Sequence, residues 1–375
     1  MSAEVISNNS ASIGLGSGMP GETKTQLVVA EYVFIDGFGA TRSKTRVIQG
    51  KLVPGQETRG VMFNVDIWNV DGSSTGQSTT GKSDVILVPR ALFNDPFNIS
   101  TDGVKYCMAM CDVMNPDGIP HASNSRAELF RILALLGETK LQEEDPWFGI
   151  EQEYVIYDAA TNAPYKWQHA TYSTQQGPFY CGVGGNVAFG REIAMEHMNK
   201  CIQAGVAICG VNGEVAPAQW EFQIGICNPI TIGDHLWMAR YILGRVAELH
   251  GAYISYDPKP FGAAWNGSGA HTNFSTAAMR GEGGLEVIRG AIDKLAGRHK
   301  EHMAVYGAGN ERRLTGIHET SDIGRFTYGE CDRGSSVRIP VNVMVEGRGY
   351  FEDRRPAANA DPYLVVARML ETVLG

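Results

Sequence analysis

A chain of 375 residues exceeds the ~250–300 at which a single hydrophobic core stops growing, so two domains are expected. With 43% hydrophobic residues, 19% charged residues and a formal charge of −9, it reads as a folded globular protein without the clustered Lys and Arg of a nucleic-acid surface. No apolar run approaches the ~20 residues of a membrane helix, and seven cysteines without a C-x-x-C pair suit reduced thiols in a cytoplasmic protein.

The first 25 residues are rich in Ser, Gly and Asn and read as a flexible tail. Within it, Gly16-Ser-Gly18-Met-Pro-Gly21 fits a dinucleotide-binding pattern, but no strand precedes it and the proline obstructs a helix. From Gln26 to about Asp112 the pattern is one of short strands. Leu27 to Ile35 is rich in Val, Tyr and Phe, Thr45 to Leu52 alternates, and Val85 to Val88 is apolar up to Pro89. Cys107 and Cys111 read as small apolar residues in a strand region.

Gly76 to Ser83 matches the phosphate-binding P-loop literally. That motif works only where a helix starts at its Lys-Ser, and Asp84-Val-Ile-Leu-Val-Pro89 is a strand sequence instead. The turn Asn115-Pro-Asp-Gly118 marks a domain boundary. Helical patterns follow at Ala127 to Leu136, Val187 to Ala204, Asp234 to His250, Leu285 to Arg298 and Pro362 to Leu374. Between them Trp147 to Tyr157, Gln219 to Gly225, Gly269 to Ser275 and Ser336 to Val341 read as strands. The class is α+β: a tail (1–25), a small β-rich domain (26–118) and a larger domain (119–375).

Four segments of the larger domain carry chemistry. Glu151 and Glu153 lie two apart in an apolar strand, so their side chains share a face roughly 6.5–7 Å apart. Buried like charges are costly unless a cation neutralises them. Glu214 and Glu221 form a second acidic pair, the latter in an aromatic strand context. Oxygen donors without cysteine suit Mg²⁺ or Mn²⁺ rather than structural zinc. His271 follows the small-residue run after Trp265 and enters a strand, and Glu352 stands beside Arg354 and Arg355. Arg313, Arg333 and Arg338 sit among Gly, Ser and Thr, as anion-binding loops tend to be. Carboxylates for cations together with arginines for anions point to phosphoryl transfer.

Seven motifs then appear in one order. They are Trp68-Asn-Val-Asp-Gly-Ser-Ser-Thr75, Trp147 to Tyr154, Gly177-Pro-Phe-Tyr-Cys-Gly182, Asn212-Gly-Glu-Val with Gln219 to Gln223, Gly269 to Ser275, Arg313 to Thr320, and Gly349-Tyr-Phe-Glu-Asp-Arg-Arg-Pro356. In these the chain resembles the eukaryotic (type II) glutamine synthetases over nearly 300 residues. The resemblance implies an N-terminal β-grasp domain and a catalytic α/β domain. It also implies ligation of ammonia to the γ-carboxylate of L-glutamate by way of γ-glutamyl phosphate, with ATP as co-substrate.

By the same resemblance, Glu151, His271 and Glu352 are ligands of one Mg²⁺ or Mn²⁺, and Glu153, Glu214 and Glu221 of another. Trp147, Glu221, Asn273, Phe274, Ser275, Arg333, Arg338 and Tyr350 correspond to the ATP site. Ser74, Tyr180, Glu214, Trp265, Asn266, Gly267, Arg313, Arg333 and Arg354 correspond to the glutamate site. Asp71, Glu319 and Arg338 take catalytic roles, the first two around ammonium. The implied assembly is a homo-oligomer of stacked rings, a decamer, with active sites at subunit interfaces. There are two departures from the family pattern. Cys331-Asp332 stands where Ala-Asn is usual, and Ser123-Asn-Ser-Arg126 replaces Thr-Asn-x-Arg. Another ATP-dependent carboxylate–amine ligase, or a non-catalytic relative, are the rival readings.

Overall fold

Two compact units, divided in the chain between Ser123 and Asn124, appear in the computed structural model, which describes residues 25–51, 65–101, 103–167 and 177–375. The glycine-rich pattern at 16–21 lies outside the described residues.

The first unit is a five-stranded sheet in the order β2-β1-β5-β4-β3, built from β1 (Thr25–Ile35), β2 (Thr41–Lys51), β3 (Trp68–Asp71), β4 (Asp84–Asn94) and β5 (Val104–Met114). Alternation on β1 puts Val28, Ala30, Tyr32 and Phe34 against Cys107, Ala109, Cys111 and Val113 of β5. Both cysteines are therefore core residues, and burial pushes the Cys107 thiol up to about 12. The P-loop-like segment leads straight into strand β4, with no helix after Ser83. That strand continues through Pro89 by a register shift between Pro89 and Ala91, where the missing N–H of proline is tolerated.

The second unit wraps helices around one sheet of order β11-β12-β13-β10-β6-β8-β7, with β9 paired to β6. In chain order its elements are α1 (Ser125–Leu136), α2 (Glu138–Glu144), β6 (Trp147–Asp158), α3 (Arg191–Ala204), β7 (Ile208–Gly213), β8 (Gln219–Cys227), α4 (Pro229–Leu249), β9 (Ala252–Ser255) and β10 (Ala270–Ser275). Then follow α5 (Ala277–Arg280), α6 (Gly284–Gly297), α7 (His299–Met303), β11 (Tyr328–Glu330), β12 (Val337–Ile339), α8 (Val341–Glu346), β13 (Phe351–Asp353) and α9 (Pro362–Val373).

Helix boundaries differ from the sequence pattern for identifiable reasons. Helix α4 starts five residues before the expected Asp234, because Asn228 Oδ1 accepts from Ile230 N (3.0 Å) and Thr231 N (2.9 Å) and Pro229 occupies the first turn. Helix α3 starts at Arg191 rather than Val187, behind Gly190 in the left-handed region at φ 81°. The expected strand to Val341 ends at Ile339, and Val341 opens α8 beyond Pro340. Beneath the sheet, Leu236, Met238, Ile242, Leu243 and Val246 of α4 are fully buried, and each large side chain contributes about 1.5–3 kcal/mol.

Candidate active site

Strand register assembles the site. On the antiparallel pair β6–β8, Glu153 stands opposite Glu221 and Glu151 opposite Gln223. On β6–β10, His271 faces Glu151, and on β10–β13, Asn273 faces Glu352. Arg338 of β12 is in turn opposite Glu352. Side chains two apart share a face, so five segments far apart in sequence converge on one side of one sheet. Glu214 joins them from the turn after β7, its oxygens receiving Asn212 Nδ2 (3.1 Å) and Val215 N (3.2 Å).

Glu151, Glu153, Glu214, Glu221, Gln223, His271 and Arg338 line a cavity of about 740 Å³ that also takes in Tyr180, Asn212, Asn266, Gly267, Arg313, His318, Glu319, Arg333 and Arg354. A neighbouring cavity of about 410 Å³ is lined by Trp147, Asn273, Phe274, Ser275, Arg280 and Tyr350, and Glu151 and Gln223 border both. The Arg280 guanidinium lies 3.7 Å over the Trp147 ring and is held by Asp145 at 2.7 Å.

Charge is crowded here. Among the described residues, one donor atom each from Glu151, Glu221 and His271 fall within 4.8 Å of one another, and so do those of Glu153, Glu214 and Glu221. Burial pushes the Glu153 carboxyl up to about 7, partly offset by Arg313, and pushes Glu214 up to about 8 with help from the charge of Glu153. Glu221 is raised well above the ordinary carboxylate range by burial and then by Glu151, Glu214 and Glu153. Burial, followed by the Arg354 charge, holds the His271 imidazole well below its usual range and hence neutral. A neutral imidazole amid carboxylates that resist ionising together is a donor set fitted to divalent cations.

The arginines are engaged as well. Glu352 accepts from Arg338 Nη1 and from Arg354 Nη1, each at 2.8 Å, while its Oε1 lies 3.5 Å from His271 Nδ1. Arg313, buried, donates from Nη2 to His271 Nε2 (3.0 Å) and to the Arg354 carbonyl (3.1 Å). Room for that guanidinium depends on glycine, since a Cβ on Gly269 would lie 2.4 Å from Arg313 Nη2 and one on Gly267 2.7 Å from Arg313 Cγ.

Not every expected residue points into the cavity. Phe274 borders the smaller cavity, but its ring packs between Phe148 and Phe351, with centroids 5.0 and 5.5 Å away. The Trp265 ring rests on Phe261 and the edge of Trp167. Ser275 Oγ donates to the Gly349 carbonyl at 2.5 Å. The Asp332 carboxylate accepts from Gly334 N at 2.8 Å.

In the first unit, Asp71 caps the turn at Gly72–Thr75, accepting from Ser73 N (3.0 Å), Ser73 Oγ (2.7 Å) and Ser74 Oγ (2.7 Å). Those hydrogen bonds hold its carboxyl below the usual range. The Ser74 proton is committed to Asp71.

Sequence reading missed Gln223, Asn212 and His318. Gln223 donates to Glu221 and to Asn212 Oδ1 (2.7 Å), and its place two residues after Glu221 on a strand was the signal available.

Comparison with known proteins agrees with this geometry. The family model described as "Glutamine synthetase, catalytic domain" matches residues 123–289. The chain is 48% identical over 348 residues to the glutamine synthetase of Neurospora crassa, covering 93% of this chain and 92% of that one. It is 46% identical over 351 residues to the cytosolic isozyme 1-1 of glutamine synthetase from Oryza sativa subsp. japonica, covering 93% and 95%. Among solved structures, "Apo GmaS without ligand" has the same fold, with a TM-score of 0.68 at 22% identity over 92% of this chain and 77% of that chain. No helix among the described residues is long and apolar enough to cross a membrane. Nearly half of the aligned residues are identical over more than nine-tenths of this chain and of these two relatives, and this chain belongs to the glutamine synthetase family.

Proposed function

We propose that this chain makes L-glutamine from L-glutamate and ammonia, consuming ATP by way of γ-glutamyl phosphate. The observation that carries the reading is one cavity in which the buried carboxylates Glu153 and Glu221, half-buried Glu214 and neutral His271 face Arg313, Arg333, Arg338 and Arg354. Two signs of charge are thus prearranged for a phosphorylated anion. Glu151, His271 and Glu352 would hold one divalent cation, Mg²⁺ or Mn²⁺, and Glu153, Glu214 and Glu221 another. Such ions, when bound, set positive charge against the phosphoryl oxygens.

The smaller cavity, with Trp147, Asn273, Ser275 and Tyr350, takes the nucleotide, and the larger takes glutamate at Asn266, Gly267, Arg313 and Arg354. A carboxylate oxygen of glutamate attacks the γ-phosphorus, the bond to the β-bridging oxygen breaks, and ADP leaves. Arg338 and Arg333 face that transfer from the cavity wall. Activation is needed because an unactivated carboxylate has no leaving group. Asp71 and Glu319 hold ammonium and take its proton, and ammonia then displaces phosphate from the acyl carbon. Asp71 belongs to the first unit, and in this reading it serves the site of a neighbouring subunit in a decamer of stacked rings in the cytoplasm.

The test is phosphate release and glutamine formation from ATP, glutamate and ammonium, with and without Mg²⁺. The expected result is one phosphate per glutamine, with none formed without Mg²⁺. Phosphate release that ignores glutamate would overturn the reading.

A further inference from the structure

Residues 314–323 form a closed loop whose tip borders the larger cavity. Its ends meet where Ile323 N donates to the Leu314 carbonyl at 3.0 Å and Thr315 bridges to Asp322. At the tip, His318 and Glu319 hold φ values of 56° and 62°, a left-handed backbone that is uncommon outside glycine. Part of what holds the tip is local, since Arg354 Nη2 donates to the Glu319 carbonyl at 3.3 Å.

Thr320 Oγ1, which donates to the Ile317 carbonyl at 2.8 Å, and Ser321 Oγ, 2.8 Å from Ser336 Oγ, add to it, and a further hold on the base of the loop runs through His299 of α7. Its Nε2 lies 2.8 Å from the Ile323 carbonyl, an acceptor, so Nε2 carries the proton. Nδ1 is then a lone pair, and it receives Arg355 Nη1 at 3.1 Å. Arg355 is fully buried and clamped on Asp353 at 2.8 and 2.7 Å, one residue along from Glu352. Each donor and acceptor role in the series Asp353, Arg355, His299, Ile323 is fixed by its neighbour. The series joins the strand carrying Glu352 to the base of the loop carrying Glu319.

We propose that His299 is a positioning residue that sets this loop so that Glu319 shields the acyl phosphate from water. The inference rests on the placement of Glu319 at the transfer site given above, and on the shielding role that the family resemblance implies for it besides ammonium binding. Where shielding fails, water attacks the acyl carbon, the carbon–oxygen bond to phosphate breaks, glutamate is regenerated and a proton is released. ATP is then hydrolysed without glutamine.

The experiment uses the full-length enzyme with ATP, Mg²⁺, glutamate and limiting ammonium, and reads phosphate released per glutamine formed. His299→Leu, which neither donates nor accepts, is expected to raise that ratio at least threefold and to raise the ammonium KM, with the ATP KM unchanged. His299→Gln supplies a donor near the Nε2 position and is expected to restore the ratio, whereas the shorter His299→Asn does not. Deuterium exchange of residues 314–323 gives an independent readout, faster in the Leu and Asn variants than in wild type or Gln.

A merely structural role would lower kcat and leave the ratio at one. Folded His299→Leu or His299→Asn enzyme with a one-to-one ratio and wild-type exchange overturns the proposal. Glu319→Gln separates the two readings. If it stays coupled, the shielding role of Glu319 falls. If it uncouples while the His299 variants do not, only His299 is excluded.

Discussion

The two faces of the central sheet in the second unit treat buried charge in opposite ways. On one face Glu153, Glu221, His271 and Glu352 crowd together. One residue along the same strands, Gln152, Asp353 and Arg355 turn to the other face and are as dry or drier, each at 0% exposure. There Gln152, Asp353 and Arg355 each have a complement. Gln152 Oε1 takes Arg240 Nε at 3.0 Å, and Arg240 Nη2 also reaches the Ala358 and Ala360 carbonyls at 3.0 Å each. Asp353 takes Arg355 and the Tyr306 hydroxyl (2.8 Å), while His302 bridges Tyr306 and Thr372 at 2.7 and 2.8 Å. The satisfied face fixes the strands, and the crowded face leaves its excess negative charge for a ligand to complete. Burial alone does not separate structural from functional charge. Completeness of pairing does.

The largest effect should follow from breaking the satisfied face. Arg355→Met leaves Asp353 buried without its cation, and removing one partner of a buried pair costs about 3–5 kcal/mol. Thermal or urea unfolding should show a loss of that size, or no folded protein at all. A loss below about 1 kcal/mol would mean that the pair does not hold the sheet.

The crowded face should respond the other way. Glu221→Gln replaces a carboxyl that resists ionising with a neutral amide of the same shape, so stability without divalent cations should stay level or rise, while turnover falls by a factor of at least about 10³, or ~4 kcal/mol in barrier. Comparable Mg²⁺-dependent turnover in the variant would remove Glu221 from the cation site.

A pH series sharpens the contrast. Glu153 and Glu214 titrate near 7 and 8 in the folded chain, both raised by burial, against about 4.3 when unfolded. The folded state therefore binds protons that the unfolded state has released. Without divalent cations, stability should decline as pH rises from about 5 to 8 and then level off. Excess Mg²⁺ should flatten the decline, and its affinity should rise about tenfold per pH unit for each proton it displaces, ~1.4 kcal/mol per unit. Calorimetry at several pH values measures both slopes, and a cation affinity independent of pH would contradict the protonated state of the crowded carboxylates.

Much of the crowded face is legible in the sequence because it is local. Glu151 and Glu153 share a face by the two-residue period of a strand that apolar neighbours already mark as buried. The pairing of Glu153 with Glu221 is not legible this way, since nothing near either residue states which strands become neighbours; only the motif order pointed to it. The satisfied face was hidden by adjacency. Phe-Glu-Asp-Arg-Arg-Pro reads as one charge run, yet alternation sends Glu352 and Arg354 to the crowded face and Asp353 and Arg355 away from it. Arg240 lies in the apolar stripe of α4, where periodicity predicts a core helix and gives no sign of a cation bound to three oxygens.

The smallest effect concerns a basic residue that belongs to neither face. Lys82 completes a literal P-loop match, is exposed, and donates its backbone N–H to the Thr79 carbonyl at 3.0 Å in a tight turn. A working P-loop gathers phosphate at the free amides of a helix N-terminus. Here the chain enters β4, where Asp84 pairs with Asp71 across the ladder, so no helix start is present to supply those amides. Lys82→Ala should therefore leave the apparent ATP affinity within about threefold of wild type, because RT ln 3 is only ~0.65 kcal/mol. Titration of ATP against the folded variant measures this directly. A loss of tenfold or more would place the phosphates in the first unit, and the arginines on the cavity wall would then need another ligand.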